Sequence, residues 1–224
     1  MNGKTEKYLK LAANMLTLLP IAVCAAAICA APEQIGGHWN AAGELDRLGS
    51  KWELVIWPLM VLFVRGIMAV LTVAVPDNSG VNRRVMRWAT VCVLALFDAM
   101  AVYFTYCAVT RAETLSIYSL DVWQLTSIVL GAVFIPIGNL MPKLRMNALA
   151  GYRTKWSMSN ERAWSLAQRH AGRAMVVSGV AMLLIGLLAE GVKGICLSVC
   201  VLALALVTAD RRAKNEYNKT EPPE

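Results

Sequence analysis

Charge is scarce in this chain of 224 residues: only 17% are Asp, Glu, Lys or Arg, against about 25% in a soluble domain. That shortage excludes a solvated disordered segment. No two of the six cysteines show C-x-x-C spacing, so neither a zinc ribbon nor a redox motif is written here. A Gly-rich phosphate loop is missing, as is a nucleophile with an adjacent base. Neither enzymatic chemistry nor a resident cofactor or metal is therefore expected. What fills the chain instead is apolar: 57% of residues are hydrophobic, the mean hydropathy is +0.50, and the net charge is nevertheless +7. Long apolar runs with basic residues kept outside them describe an integral membrane protein.

A bilayer core of about 30 Å needs roughly 20 helical residues. Runs over 8–31, 52–75, 88–110 and 122–141 meet that length. Runs over 174–189 and 195–209 are shorter and flank the polar turn 190–194, which reads as a hairpin whose first helix starts well before its apolar part. The first run, behind Lys4, Lys7 and Lys10, resembles a signal peptide but is too long for the usual h-region of about 7–15 residues. It reads as a retained helix. The fold expected is all-α, a six-transmembrane helical bundle forming a single membrane domain over 1–224.

Basic residues alternate by segment. Three precede the first run, three lie at Arg83, Arg84 and Arg87, seven between Lys143 and Arg173, and four between Arg211 and Lys219. The intervening loops hold only Arg47, Lys51, Arg111 and Lys193. The positive-inside rule then puts both termini, the basic loop 142–173 and the polar tail 210–224 in the cytoplasm, with loop 32–51 outside. His38 and His170 fall on opposite sides and cannot share a metal. The cysteines all lie within spans, as small apolar packing residues.

Arg65 and Asp98 are the expensive residues, at about 2.5–3.5 kcal/mol each near a helix centre. Both lie roughly 15–17 Å from the cytoplasmic end of their helices at 1.5 Å per residue. They can form an inter-helix Arg–carboxylate pair, serve a substrate or proton relay, or face a water cavity. Gly172, Gly179 and Gly186 recur every seventh residue, a stripe that lets a neighbouring helix approach. Pro20 and Pro136 are expected to kink their helices.

Two polar segments have character. The outer loop carries His38, Trp39, Asn40, Gly43 and Asp46, a structured turn with an interfacial Trp that could also grip a peptide or a lipid headgroup. The cytoplasmic loop carries Asn139, Pro142, Lys143, Arg145, Asn147, Gly151, Arg153, Thr154 and Trp156, and then Ser159 or Asn160 caps a helix with Trp164, Arg169 and Gly172. Its basic residues suit an anionic leaflet. Its Gly, Asn and Pro placements ask for defined backbone geometry.

This loop closely resembles the signature of the SdpI family of bacterial multi-pass membrane immunity proteins, approximately G-N-x-M-P-K-x-R-x-N-x-x-x-G-x-R-T-x-W-(T/S). Gly138 through Ser157 fit it, with Ser157 standing where Thr is frequent. The outer loop resembles the family's N-terminal H-W-N companion module through Pro20, His38, Trp39, Asn40, Gly43, Asp46 and Lys51. The resemblance implies a bacterial cytoplasmic-membrane protein that protects its cell from a secreted antimicrobial peptide toxin. It also implies a winged-helix transcriptional repressor as a partner held at the membrane, with membrane lipids around it and no direct nucleic-acid contact. His38, Trp39, Asn40 and Asp46 are then the ligand-sensing side. A transporter exporting a peptide or small hydrophobic compound is the competing expectation, with Arg65 and Asp98 as its machinery.

Overall fold

The computed structural model describes residues 3–40, 42–76, 80–117 and 120–220. Residue 41 of the expected outer loop and residues 221–224 of the expected tail lie outside them. Six helices are long and apolar enough to cross a membrane: α1 (Gly3–Ala30), α2 (Ile56–Ala74), α3 (Val81–Thr110), α4 (Val122–Leu140), α5 (Glu161–Leu188) and α6 (Gly191–Thr220).

Several helices outrun their apolar runs. Asn160 caps α5, its Oδ1 accepting from the Ala163 N–H at 2.8 Å, so much of the expected loop 142–173 is helix from Glu161 onward. Residues 210–220, expected as a polar tail, continue α6 because that last stretch has partners on α5 and its cap. Asn160 Nδ2 donates to the Tyr217 hydroxyl at 2.7 Å, and His170 Nε2 meets Glu216 Oε2 at 2.8 Å. The polar turn 190–194 shrinks, since α6 begins at Gly191, where φ is +67°. The Gly191 N–H donates to Asp121 Oδ2 at 2.6 Å. The other Asp121 oxygen caps α4 in a capping box with Gln124.

The six helices are as expected, and two short β pairings add to the all-α fold at the hairpin end. The outer loop is a β-hairpin, β1 (Gln34–Trp39) against β2 (Leu45–Ser50), with register shifts around His38. Its turn uses Gly43 at φ +82°, a conformation that suits glycine. Gly37 permits close strand approach, because a Cβ there would lie 2.7 Å from the Gly49 nitrogen. A second, two-residue pair, β3 (Ser116–Ile117) with β4 (Leu120–Asp121), precedes α4.

The glycine stripe works as expected. A Cβ on Gly172 would lie 2.5 Å from Gly138 O, one on Gly179 2.8 Å from Gly131 O, and one on Gly186 2.8 Å from Gln124 O. α4 and α5 therefore pack backbone to backbone over two heptads. The helices run unbroken through Pro20 and Pro136. Apolar side chains such as Phe63, Val70 and Val73 point outward from α2. In water that face would mark an interface; in a bilayer it meets lipid, the solvent for which it is built.

Candidate functional site

The basic segments gather at one end of the bundle, and the hairpin stands at the other. At the hairpin end, β1 and β2 are tied to the top of α3. The Arg111 guanidinium donates twice to Gln34 O, at 3.0 and 2.7 Å. The Trp39 indole N–H donates to Ala112 O at 2.9 Å, and Leu115 N–H to Gly43 O at 2.7 Å. The hairpin thus leans over the helix ends rather than standing free.

Beneath it lies a cavity of about 570 Å³, in the range of small-molecule and peptide-anchor pockets. β1 and the turn residue that follows it contribute Ile35 through Asn40; α2, α3 and α4 contribute Trp57, Met100, Phe104 and Trp123. Trp57 and Phe104 stack with ring centroids 5.2 Å apart. The wall is aromatic and aliphatic, and the polar groups converge at the rim. His38 Nδ1 meets Asp46 Oδ1 at 2.6 Å, with both side chains substantially exposed.

Of the expected ligand-sensing residues, His38, Trp39 and Asn40 line the cavity. Asp46 does not line it and reaches it only through its hydrogen bond to His38. Asn40 is chiefly a turn former: its Oδ1 accepts the Ala42 and Glu44 N–H groups at 2.9 and 3.0 Å. Arg47 is held bidentately by Glu53, at 3.0 and 2.9 Å, and that carboxylate pushes its guanidinium still further up from its ordinary value. Trp57, Phe104 and Trp123 were not singled out in the sequence. Their signal was the aromatic enrichment at span ends that marks a membrane interface, which by itself says nothing of a cavity.

At the other end the signature loop is folded, not draped. Asn147 is its clasp: Nδ2 donates to Arg145 O (2.8 Å) and Ala150 O (3.1 Å), while Oδ1 accepts from Leu149 N–H (2.9 Å) and Ala150 N–H (2.7 Å). All four hydrogen-bonding positions of the amide are used. Gly151 sits at φ +115°, and a Cβ there would lie 2.8 Å from Gln168 Oε1 and 2.9 Å from the Trp164 ring. Gln168, fully buried on α5, brackets Tyr152 by accepting from its N–H at 2.9 Å and donating to its carbonyl at 2.8 Å. Burial, with Asp210 nearby, pushes the Tyr152 phenol up from its ordinary value.

Thr154 and Ser157 bond reciprocally. Thr154 N–H donates to Ser157 Oγ at 2.8 Å, and Ser157 N–H to Thr154 Oγ1 at 3.0 Å. Ser157 is completely buried. Trp156 lies edge-on to Tyr217, with centroids 5.8 Å apart. Pro142 sits in the middle of a short 3₁₀ turn, Met141–Lys143. The signature therefore divides in two. Asn147, Gly151, Thr154 and Trp156 build the loop, whereas Asn139, Lys143, Arg145 and Arg153 are exposed around it.

Two fasteners escaped the sequence reading. Asn82 on α3 accepts the Arg145 N–H at 2.9 Å and donates back to Arg145 O at 3.3 Å. Gln168 shares a helix face with Trp164 and Gly172 at four-residue spacing, a periodicity that would have revealed it.

The expected Arg65–Asp98 pair is not formed. Asp98 is 3% exposed, and neither carboxylate oxygen has a hydrogen-bond partner. Arg65 instead lines a crevice between α1, α2 and α3, with Lys10, Thr72, Arg87 and Thr90. Thr90 is eight residues from Asp98, about 12 Å of helix. The arginine extends along the apolar surface toward the basic end, as long cations in membranes do. Residue spacing along a helix sets the depth of a Cα and not the reach of a long side chain.

The sequence is similar to known proteins over both of these regions. The pattern of the SdpI/YfhL protein family matches residues 143–209, from the signature loop through α5 into α6. A domain of unknown function, DUF1648, matches residues 15–62, from α1 through the hairpin into α2. The uncharacterized protein YfhL of Bacillus subtilis strain 168 is 32% identical over 87 residues, 38% of this chain and 79% of that one. The immunity protein SdpI of the same organism is 28% identical over 102 residues, 46% of this chain and 49% of that one, so the match spans about half of that relative. No solved structure matches the chain. With the signature loop, the glycine-packed α4–α5 pair and four-fifths of one relative covered, the chain belongs to the SdpI/YfhL protein family.

Proposed function

We propose that this multi-pass membrane protein confers immunity to a secreted antimicrobial peptide and signals its presence across the cytoplasmic membrane. The observation that carries the reading is the aromatic cavity of about 570 Å³ under the hairpin, shaped for an apolar segment with a polar end. Similarity to an immunity protein supports it. The opposite end carries most of the basic residues, which favours a cytoplasmic position for it and for both termini. There the exposed Lys143, Arg145 and Arg153 offer a surface on which a winged-helix repressor could be held. The role is recognition, without catalysis and without direct contact to nucleic acid.

A ligand changes the far surface only by binding two conformations unequally. α4 is the element placed to carry that change, since it joins the cavity wall at Trp123 to the 3₁₀ turn that opens the signature. The test is survival. A Bacillus subtilis strain lacking its immunity protein SdpI is challenged with medium from producing cells, with this chain expressed or absent. The chain should restore growth, and the Trp57→Ala/Phe104→Ala pair should lose most of that protection at equal membrane levels. No protection by the parent chain, or full protection by the paired variant, would sink the reading.

Export of a peptide or small hydrophobic compound is a second reading, supported by the partnerless Asp98 inside a span. Efflux from inverted vesicles that depends on a proton gradient and fails in Asp98→Asn would favour it over immunity.

A further inference from the structure

A second cavity, of about 320 Å³, lies at the basic end. α3 and α6 make no extended contact with each other, although each packs against α4. The cleft left between them is walled by Val85, Met86 and Ala89 of α3, Ile137 and Leu140 of α4 and Leu206 of α6. The signature loop closes its end with Leu144, Ala150, Gly151 and Tyr152. That closure is fastened by hydrogen bonds. The Trp164 indole N–H holds Leu144 O at 2.8 Å, Gln168 brackets Tyr152, and Asn82 fixes Arg145 to α3.

An apolar space of this kind stays dry, and a pinned floor prevents its collapse. Around the floor, Lys143, Arg145, Arg153 and Lys155 are exposed, and none of them has an ion pair among those found between described residues. An apolar slot at membrane depth with a cationic rim is complementary to one class of molecule, an anionic phospholipid. Basic pockets between transmembrane helices recognise such headgroups.

We infer that the α3–α6 cleft binds one acyl chain of an anionic phospholipid, whose phosphate sits on the basic rim of the signature loop. The lipid would complete the α3–α4–α6 contact and make the loop's position sensitive to the leaflet beneath it. This site is separate from the cavity under the hairpin and stands whether or not the chain confers immunity.

Native mass spectrometry of the full-length protein, released from detergent after equilibration with phosphatidylglycerol or phosphatidylcholine of identical chains, tests it. The parent chain should retain one phosphatidylglycerol in preference to phosphatidylcholine, on the order of tenfold for a few basic side chains at the surface. Arg145→Gln/Arg153→Gln should erase the preference while leaving a neutral lipid bound. Ala89→Phe should expel both lipids, and Leu206→Phe, from the opposite wall, provides the same readout if Ala89→Phe does not fold. Equal retention of the two lipids by the parent chain would overturn the site. So would retention untouched by either filling substitution, or a Leu206→Cys disulfide linking two copies through the cleft.

Discussion

At the residue scale, the signature shows how a motif can combine architecture with surface chemistry. Asn147 satisfies two carbonyls and two N–H groups with one side chain. Asn147→Ala strands those groups in a partly buried turn and should destabilise the protein by about 1–3 kcal/mol, read as a lowered unfolding midpoint in detergent. Gly151→Ala should be at least as harmful, since φ +115° and the contact with Trp164 both oppose a Cβ. Arg153→Gln, on the exposed side of the same loop, should leave that midpoint unchanged. Equal losses for Gly151→Ala and Arg153→Gln would contradict the division of the signature. Asp98 makes a converse case. Its carboxylate has no partner to lose, so Asp98→Asn should hold or raise the midpoint, and a clear drop would show that the charge is supported.

At the element scale, the hydrophobic runs gave the six helices but not their ends. Apolar length reports the part of a helix in lipid, whereas the true starts and stops are set by caps and tertiary partners. Asn160 was legible as a cap because it precedes a helical run. The extension of α6 to Thr220 was not, because it depends on Tyr217 and Glu216 meeting residues some fifty positions away. The hairpin was hidden for a related reason: Gly36 and Gly37 have poor strand propensity, and the strands are held by α3. The glycine stripe, by contrast, was read correctly, since a seven-residue period is a local pattern. Gly179→Leu should force α4 and α5 apart and leave little folded protein after membrane extraction, while Gly66→Leu on α2, where a Cβ meets nothing, should be tolerated. Similar yields from the two variants would mean that the α4–α5 contact is not close.

At the scale of the whole molecule, the division of labour between the two ends depends on orientation, and orientation rests on charge. In a chain with its six cysteines replaced by serine, Glu113→Cys should react with a membrane-impermeant maleimide in intact cells, and Ser159→Cys only after lysis. Reversal would move the signature loop outside and end the proposal that it meets a repressor. The cavity under the hairpin was not legible from sequence, because its walls come from several elements far apart in the chain. A photoreactive phenylalanine analogue at position 104, inside that cavity, should crosslink the killing peptide added from outside. The same analogue at position 63, facing lipid on α2, should not. An adduct at position 104 alone is the result predicted; equal adducts at both positions, or none at position 104 in cells that survive the peptide, would contradict it.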